Sequence, residues 1–127
     1  MQILFVEDDP MNRRVVGDML RVAGLDMSEA ESAERGLAMV QDRSYDVILM
    51  DLRMPGMDGL EAIRHIRARG DEKAQTPIIV VTADLAPGLR EQCQSSGAND
   101  FLLKPVAMNS LFDAVGRALT SKGQALQ

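Results

Sequence analysis

The sequence contains few of the residues on which several classes of protein depend. It has no Trp, three Phe and one Tyr, so a stacking platform for single-stranded nucleic acid is not expected. Its one cysteine, Cys93, excludes an internal disulfide and a multi-cysteine zinc site, which fits a reducing compartment. No apolar run reaches the roughly 18 residues that a membrane span needs, so no membrane insertion is expected. We therefore expect a cytoplasmic protein.

The charge balance also narrows the possible functions. Fourteen Lys and Arg residues stand against 19 Asp and Glu residues, which gives a formal net charge of −5. This balance repels phosphate backbones, so direct DNA binding is not expected. The length of 127 residues suits one ordinary domain.

Five predicted strands alternate with segments of helical periodicity. Four are apolar runs typical of strands buried on both faces and cover residues 3–6, 47–50, 78–81 and 101–103, and a weaker strand is predicted around residues 27–30. Helical spacing predicts helices over about residues 10–23, 33–40, 60–66, 87–96 and 111–119. This alternation predicts an α/β fold with a doubly wound, five-stranded parallel sheet and five helices. Residues 68–76 are interpreted as a connector, and residues 120–127 as a frayed C-terminal tail after one domain over residues 1–119.

Polar residues follow four of the predicted strands. They are Glu7, Asp8 and Asp9 after the first strand, Asp51 after the third, Thr82 after the fourth and Lys104 after the fifth. Because ligands of open parallel sheets bind beyond the carboxyl ends of the strands, we expect these side chains to form one site.

The residue types at this edge indicate phosphoryl chemistry with a metal ion. Glu7, Asp8 and Asp51 cannot all stay ionised at close range without a cation, and their oxygen ligands suit Mg²⁺. Asp51 could act as a nucleophile toward phosphorus and form an acyl phosphate. Lys104 and Thr82 would then bind phosphoryl oxygens.

Each of these residues also has a simpler interpretation. An aspartate at a strand end often only forms a turn or caps the next helix, as we expect for Asp9. Thr is common in strands, and a single lysine is usually a solvated charge. His65 is interpreted as a solvated side chain and Cys93 as a packing residue. The joint placement of the residues at the strand ends favours a site.

Four segments in this order resemble the receiver domain of two-component response regulators. They are Phe5–Asp9, Met50–Gly59, Val81–Ala83 and Leu103–Pro105. The resemblance extends from residue 2 to about residue 119 and implies a flavodoxin-like fold with strand order 2-1-3-4-5.

The resemblance implies a role for each residue of the site. Asp51 would accept a phosphoryl group from a histidine kinase or a histidine phosphotransfer protein. Asp8 and Asp51 would bind Mg²⁺ directly, Glu7 would act through water, and the backbone carbonyl of Arg53 would complete the protein ligands. Lys104 would contact the phosphoryl group, and the Lys104–Pro105 peptide bond would be cis. Such a domain is a phosphoacceptor switch that phosphorylates itself from small donors and dephosphorylates itself, rather than an enzyme.

A switching function follows from the same resemblance. Thr82 would contact the phosphoryl group and, with Phe101, would link it to the fourth helix, fifth strand and fifth helix, which bind a downstream protein target. Phe101 stands where many relatives carry Tyr. The segments 9–14 and 97–101 resemble receivers attached to hybrid histidine kinases, and residues 120–127 are too few for a DNA-binding domain. We therefore expect a stand-alone receiver or a fragment of a larger protein.

Two other functions are compatible with parts of the pattern. A Mg²⁺-dependent phosphohydrolase could use an aspartyl-phosphate intermediate, but that class carries a general acid two residues after the nucleophile, where this chain has Arg53. A docking module that is never phosphorylated would not need the complete set of polar residues.

Arg53 and Asp84 carry opposite charges on adjacent loops, and either they pair over the mouth of the site or both stay solvated.

Overall fold

The computed structural model describes residues 1–125 as one sheet of five parallel strands with five α-helices, in the order β2-β1-β3-β4-β5. The strands are β1 (Gln2–Val6), β2 (Asp26–Ala30), β3 (Val47–Asp51), β4 (Ile78–Thr82) and β5 (Asp100–Leu103). The helices are α1 (Pro10–Val22), α2 (Ala33–Asp42), α3 (Gly59–Arg67), α4 (Leu89–Ser96) and α5 (Met108–Ala125). The predicted fold class and strand order are confirmed. Within this described range, no helix has the length and apolar character needed to cross a bilayer.

Helices cover both faces of the sheet, which explains why the central strands β1, β3 and β4 are almost wholly apolar, whereas the edge strand β2 carries Ser28 and Glu29 and is partly exposed. In β1, Leu4 and Val6 pack into the core beneath α2, α3 and α4. The alternate residues Ile3 and Phe5 pack into a second core beneath α1 and α5. Every residue of β3 and β4 is buried. A strand with two buried faces carries no polar residue until its end, so polar groups collect at the sheet edge.

The residues that begin and end the helices next to β1 and β2 are the capping residues and the glycine that the sequence predicts. The side chains of Asp9 and Ser32 each accept a hydrogen bond from a backbone amide in the first turn of α1 and α2, respectively. Gly24 follows α1 with a φ of 74°, a left-handed conformation that glycine adopts without steric cost. The chain therefore enters α1 immediately after the acidic end of β1.

Two segments differ from the sequence prediction. The connector contains a 3₁₀ turn over Glu72–Gln75, and the Arg67 guanidinium draws this segment inward by donating to the carbonyls of Ala74 and Thr76 at 2.7 Å. Helix α5 continues past residue 119 to Ala125, so residues 120–125 are helical rather than frayed. Extending an existing helix adds one hydrogen bond per residue, without a new nucleation step. Residues 126–127 of the predicted tail lie outside the described residues, and the division into a domain over 1–119 and a tail stays a prediction.

A buried hydroxyl in the core leads to a prediction about stability. Among the described residues, the Tyr45 hydroxyl is buried without a hydrogen-bond partner, in the core beneath α2, α3 and α4. Because an unsatisfied buried polar group costs about 1–3 kcal/mol, we expect Tyr45→Phe to raise the free energy of unfolding by about 1 kcal/mol. Urea denaturation followed by circular dichroism measures this, since the variant has neither Tyr nor Trp for fluorescence. A loss of stability would mean that the hydroxyl has a partner in solution.

Candidate functional site

The carboxyl ends of the strands surround a pocket of about 500 Å³. Its lining includes Glu7, Asp8, Asp51, Thr82, Lys104 and Asn12. The first four follow or end the neighbouring strands β1, β3 and β4, and Lys104 follows the edge strand β5. The structure thus brings together the six residues that the strand-end pattern predicts, since Asp9 also lines the pocket, and it adds Asn12.

Three carboxylates form an acidic cluster in this pocket. Glu7, Asp8 and Asp51 each offer an oxygen, and these oxygens lie within 4.8 Å of one another. Glu7 and Asp51 are only 1% and 2% exposed, whereas Asp8 is exposed to solvent. Partial desolvation raises the pKa of Asp8, and the adjacent Glu7 carboxyl raises it further. Like charges held this closely attract a cation, and a donor set made only of oxygens fits Mg²⁺.

Lys104 supplies a positive charge inside the cluster. Its Nζ lies 2.6 Å from Glu7 Oε1 and 3.3 Å from Asp51 Oδ1. Desolvation alone would lower the pKa of Lys104, but the hydrogen bond to Glu7 and the charge of Asp51 outweigh it and raise that pKa. The ammonium group therefore stays charged at neutral pH. The Lys104–Pro105 peptide bond is cis, as the resemblance implies.

Backbone packing fixes the position of Asp51 at the end of the central strand. A Cβ atom on Gly59 would lie 2.3 Å from the Asp51 carbonyl oxygen and 2.9 Å from Leu52 Cα. Only glycine lets α3 begin this close to β3. The Asp58 side chain caps the same helix by accepting from the Glu61 amide at 2.9 Å. The sequence identifies Gly59 only as part of a loop, because this contact depends on how α3 packs.

Thr82 and Asp84 connect the site to the loop before α4. Thr82 is fully buried, and its Oγ1 accepts a hydrogen bond from the Asp84 amide at 3.2 Å. The Asp84 carboxylate accepts from the Ala86 amide at 2.9 Å and forms an ion pair with the Arg53 guanidinium. The first of the two alternatives for Arg53 and Asp84 is therefore confirmed, and the pair joins the loops after β3 and β4. The Arg53 side chain is 75% exposed, so salt can screen this pair.

Phe101 lies on the edge strand β5, next to Val80 of β4. Its ring is half-buried and packs against the core beneath α2, α3 and α4. The Arg90 guanidinium of α4 lies 5.7 Å from the centre of the ring, a distance at which a cation and an aromatic ring attract each other. The sequence does not predict the contact with Arg90. The ring thus touches both the sheet and the helix that follows Thr82.

Among the described residues that line the pocket, Asn12 is the polar side chain that the sequence alone does not identify. It is the third residue of α1, and its Nδ2 donates to Glu7 Oε1 at 3.2 Å. The available signal was a polar amide in the first turn of a helix that directly follows an acidic strand end. His65 is exposed and Cys93 is buried, as predicted, and burial raises the pKa of the Cys93 thiol.

Comparisons with known proteins agree with this geometry. The sequence model of the response regulator receiver domain family matches residues 3–116 of this chain. The two-component response regulator ORR41 of Oryza sativa is 39% identical over 115 residues, which are 87% of this chain and 88% of that protein. The sensory/regulatory protein RpfC of Xanthomonas campestris is 33% identical over 125 residues, which are 98% of this chain but 17% of RpfC. The chain thus spans about a sixth of the length of that relative.

A solved structure relates directly to the acidic cluster. The receiver domain of the sensor histidine kinase PA1611 from Pseudomonas aeruginosa was solved with a magnesium ion coordinated in its active-site cleft. It superimposes on this chain with a TM-score of 0.85 and 37% identity, covering 94% of this chain and 97% of that one.

Proposed function

The chain belongs to the receiver domains of two-component response regulators, and from this premise we propose that it accepts a phosphoryl group on Asp51 with the aid of Mg²⁺. The observation that carries the proposal is the arrangement around Asp51. Its carboxylate lies in the acidic cluster, within reach of a protonated lysine, at the end of the central strand. A nucleophile, a cation site and a phosphoryl-binding charge thus occupy one pocket.

The residues of the pocket have distinct roles in this proposal. Asp8 and Asp51 would hold Mg²⁺ directly, Glu7 would hold it through water, and the backbone carbonyl of Arg53 would complete the protein ligands. When bound, the ion would offset negative charge on the phosphoryl oxygens. An Asp51 oxygen attacks phosphorus while the bond from phosphorus to the donor nitrogen or oxygen breaks, and the leaving group departs with the bonding electrons. Lys104 then moves onto the phosphoryl oxygens, and the Thr82 hydroxyl donates to one of them.

The donor, the target and the later fate of the phosphoryl group belong to the same proposal. Receiver domains act with histidine kinases or histidine phosphotransfer proteins, and we expect such a protein to phosphorylate this chain. Acetyl phosphate would replace it in vitro, and the acyl phosphate would hydrolyse within the same pocket. A downstream protein binds the face made by α4, β5 and α5, without direct DNA binding. A cytoplasmic location completes the proposal, and the free, buried Cys93 thiol fits it.

The proposal is tested by phosphoryl incorporation with and without Mg²⁺. Incubation with acetyl phosphate and Mg²⁺ should give a singly phosphorylated protein by intact mass. The linkage should be labile to alkali, as expected for an acyl phosphate, and chelation of the metal with EDTA should prevent its formation. A protein that takes up no phosphoryl group from acetyl phosphate or from any of a panel of phosphorylated histidine proteins would contradict the proposal. The panel would also identify the cognate donor.

The hydrolase alternative is weakened by the residue two positions after Asp51. Arg53 occupies this position, and its guanidinium is held by Asp84. A guanidinium is too weak an acid to protonate a leaving group near neutral pH. The pocket therefore favours a stable phosphorylated form over rapid turnover.

Thr82 is expected to couple phosphorylation to the proposed output face. Its hydroxyl contacts the Asp84 amide in this structure, and turning toward the phosphoryl group would break that contact and release the loop before α4. We expect Thr82→Ala to be phosphorylated but to lose most of the amide chemical-shift changes in α4 and β5, including those around Phe101. NMR spectra with and without excess acetyl phosphate measure this. Wild-type shift changes in the phosphorylated variant would show that another residue carries the signal.

The ion pair between Arg53 and Asp84 is expected to lengthen the life of the acyl phosphate. The pair spans the loops beside Asp51 and would hinder the in-line approach of water. Because an exposed pair contributes about 0–1 kcal/mol, we expect Arg53→Asn to shorten the phosphoryl half-life by at most about fivefold. High salt should shorten the wild-type half-life but barely affect the variant. Decay of the phosphorylated forms in excess Mg²⁺ measures both effects, and an equal or longer half-life in Arg53→Asn would rule out gating by this pair.

A further inference from the structure

Asn12 holds the buried carboxylate of Glu7 from outside the acidic cluster. It belongs to the first turn of α1 and lines the pocket. Its Nδ2 donates to Glu7 Oε1 at 3.2 Å. The proposed phosphoryl chemistry assigns no function to Asn12, although its amide is one of few neutral donors that reach the pocket.

The donors to the Glu7 carboxylate differ in what they do during phosphorylation. Oε1 accepts from Asn12 and also from Lys104 Nζ at 2.6 Å, while Oε2 accepts a long bond from the Asp9 amide at 3.3 Å. In the proposed function, Lys104 leaves Glu7 for the phosphoryl oxygens. Glu7 is 1% exposed, so apart from the water that would join it to Mg²⁺, bulk water has little access to the carboxylate. After that step, Asn12 is the remaining side-chain donor among the described residues that contact this carboxylate.

The backbone of Glu7 is fixed separately, so only its side chain is free to turn. The Glu7 amide donates to the Ala30 carbonyl at 2.9 Å, which joins it to β2. Its carbonyl accepts from Arg13 Nη1 at 2.7 Å, and the same guanidinium forms an ion pair with Glu29 at 3.0 Å. Loss of the Asn12 amide would therefore leave the fold around β1 intact while releasing the carboxylate.

We propose that Asn12 is a positioning residue for the metal site, which keeps the Glu7 carboxylate facing the cluster both while Lys104 shares Oε1 and after Lys104 turns to the phosphoryl group. The inference rests on the proposed function. Hydrogen-bond partners that orient metal-binding groups contribute to metal affinity although they never touch the ion. Asn12 would set the Mg²⁺ concentration at which the domain can be phosphorylated, and not the rate once the site is filled.

The experiment compares Asn12→Ala and Asn12→Leu with the wild type and with Met11→Ala. The Leu variant keeps the approximate volume of the side chain and removes the donor. Met11 is the adjacent residue of α1, is 65% exposed and does not line the pocket, so its variant controls for a change in the first turn. Titration with Mg²⁺ alone, followed by amide chemical shifts, gives the affinity. Phosphorylation by acetyl phosphate at a series of Mg²⁺ concentrations gives the half-saturating concentration and the rate at saturation.

Both Asn12 variants are expected to bind Mg²⁺ about three- to tenfold more weakly, the range expected for losing one hydrogen bond of ordinary net strength. The half-saturating Mg²⁺ concentration should rise by the same factor, while the rate at saturation stays within about twofold. Met11→Ala should match the wild type in both measurements. A purely structural role would lower the melting temperature without moving the half-saturating concentration.

The possible failures are distinguishable. If the wild type neither binds Mg²⁺ nor accepts a phosphoryl group, the proposed function is wrong, and the role of Asn12 with it. If the wild type does both and either folded Asn12 variant binds Mg²⁺ with unchanged affinity, the proposal for Asn12 alone is overturned. A lower rate at saturating Mg²⁺ with unchanged half-saturation would overturn it as well, because the amide would then act on the chemical step.

Discussion

Asp51→Asn is expected to take up no detectable phosphoryl group from acetyl phosphate or from a phosphorylated histidine protein. An amide is a poor nucleophile and cannot form the acyl phosphate. The substitution keeps the shape of the side chain and leaves an oxygen for Lys104, whose Nζ lies 3.3 Å from Asp51 Oδ1. The packing of Gly59 against the Asp51 backbone is unchanged. The fold should therefore survive while incorporation, measured by intact mass in excess Mg²⁺, is lost.

The matched control is Asp58→Asn in the same loop. Asp58 is exposed and caps α3, and asparagine caps helices about as well as aspartate. This variant removes the same charge from the region without touching the pocket, so it should be phosphorylated at the wild-type rate. Alkali-labile phosphorylation of Asp51→Asn at wild-type yield would assign the phosphoacceptor to another residue. Equal loss in both variants would point to the loop and not to the nucleophile.

Much of the site could be predicted because of one property of parallel sheets. When both faces of a strand are buried, polar residues first occur at the end of the strand, and all the carboxyl ends lie on one edge. Glu7, Asp51 and Thr82 could therefore be assigned to one pocket without any knowledge of side-chain contacts. The positions of the strands in the sequence are enough to place these three residues at the same edge of the sheet.

Contacts between side chains distant in the sequence could not be predicted in the same way. Arg67 looks like a basic residue favoured at a helix end, yet its guanidinium bonds to the carbonyls of Ala74, Thr76 and Gly97 and to the Asn99 side chain. Such a network depends on where α4 and the 3₁₀ turn pack against α3. No local pattern of charge or hydrophobicity records that arrangement. Asn12 differs in that its partner Glu7 is only five residues away, and a polar amide in the first turn of α1 was a local signal that did not by itself identify the partner.

For Arg53, the sequence predicts the position of the residue, but only the structure shows its side-chain contact. Its place two residues after Asp51 and the place of Asp84 two residues after Thr82 come from the sequence. Their opposite charges made a pair possible, but solvated side chains were an equal alternative. The structure decides for the pair because the Ala86 amide holds the Asp84 carboxylate at 2.9 Å and turns it toward the site.

Asp8→Asn is expected to weaken Mg²⁺ binding by at least about tenfold, since losing even a hydrogen-bond partner of a metal ligand can cost that much. Asp8 is the exposed carboxylate of the acidic cluster, whereas Glu7 and Asp51 are buried and contact Lys104. Among the described residues, Lys104 forms ion pairs with Glu7 and Asp51 but not with Asp8, so the charge of Asp8 is the one most available to an incoming cation. The amide that replaces it keeps a carbonyl oxygen but no charge, and the fold has no reason to change.

Asp9→Asn is the matched control for this prediction. Asp9 also borders the pocket, but its side chain caps α1 and lies outside the acidic cluster. Replacing it with asparagine, which caps equally well, removes one nearby charge without removing a ligand. Screening should limit its effect on Mg²⁺ affinity to about threefold at physiological salt. Titration of both variants with Mg²⁺ therefore separates direct coordination by Asp8 from the general field of the acidic loop: equal losses in the two variants would place the ion away from Asp8.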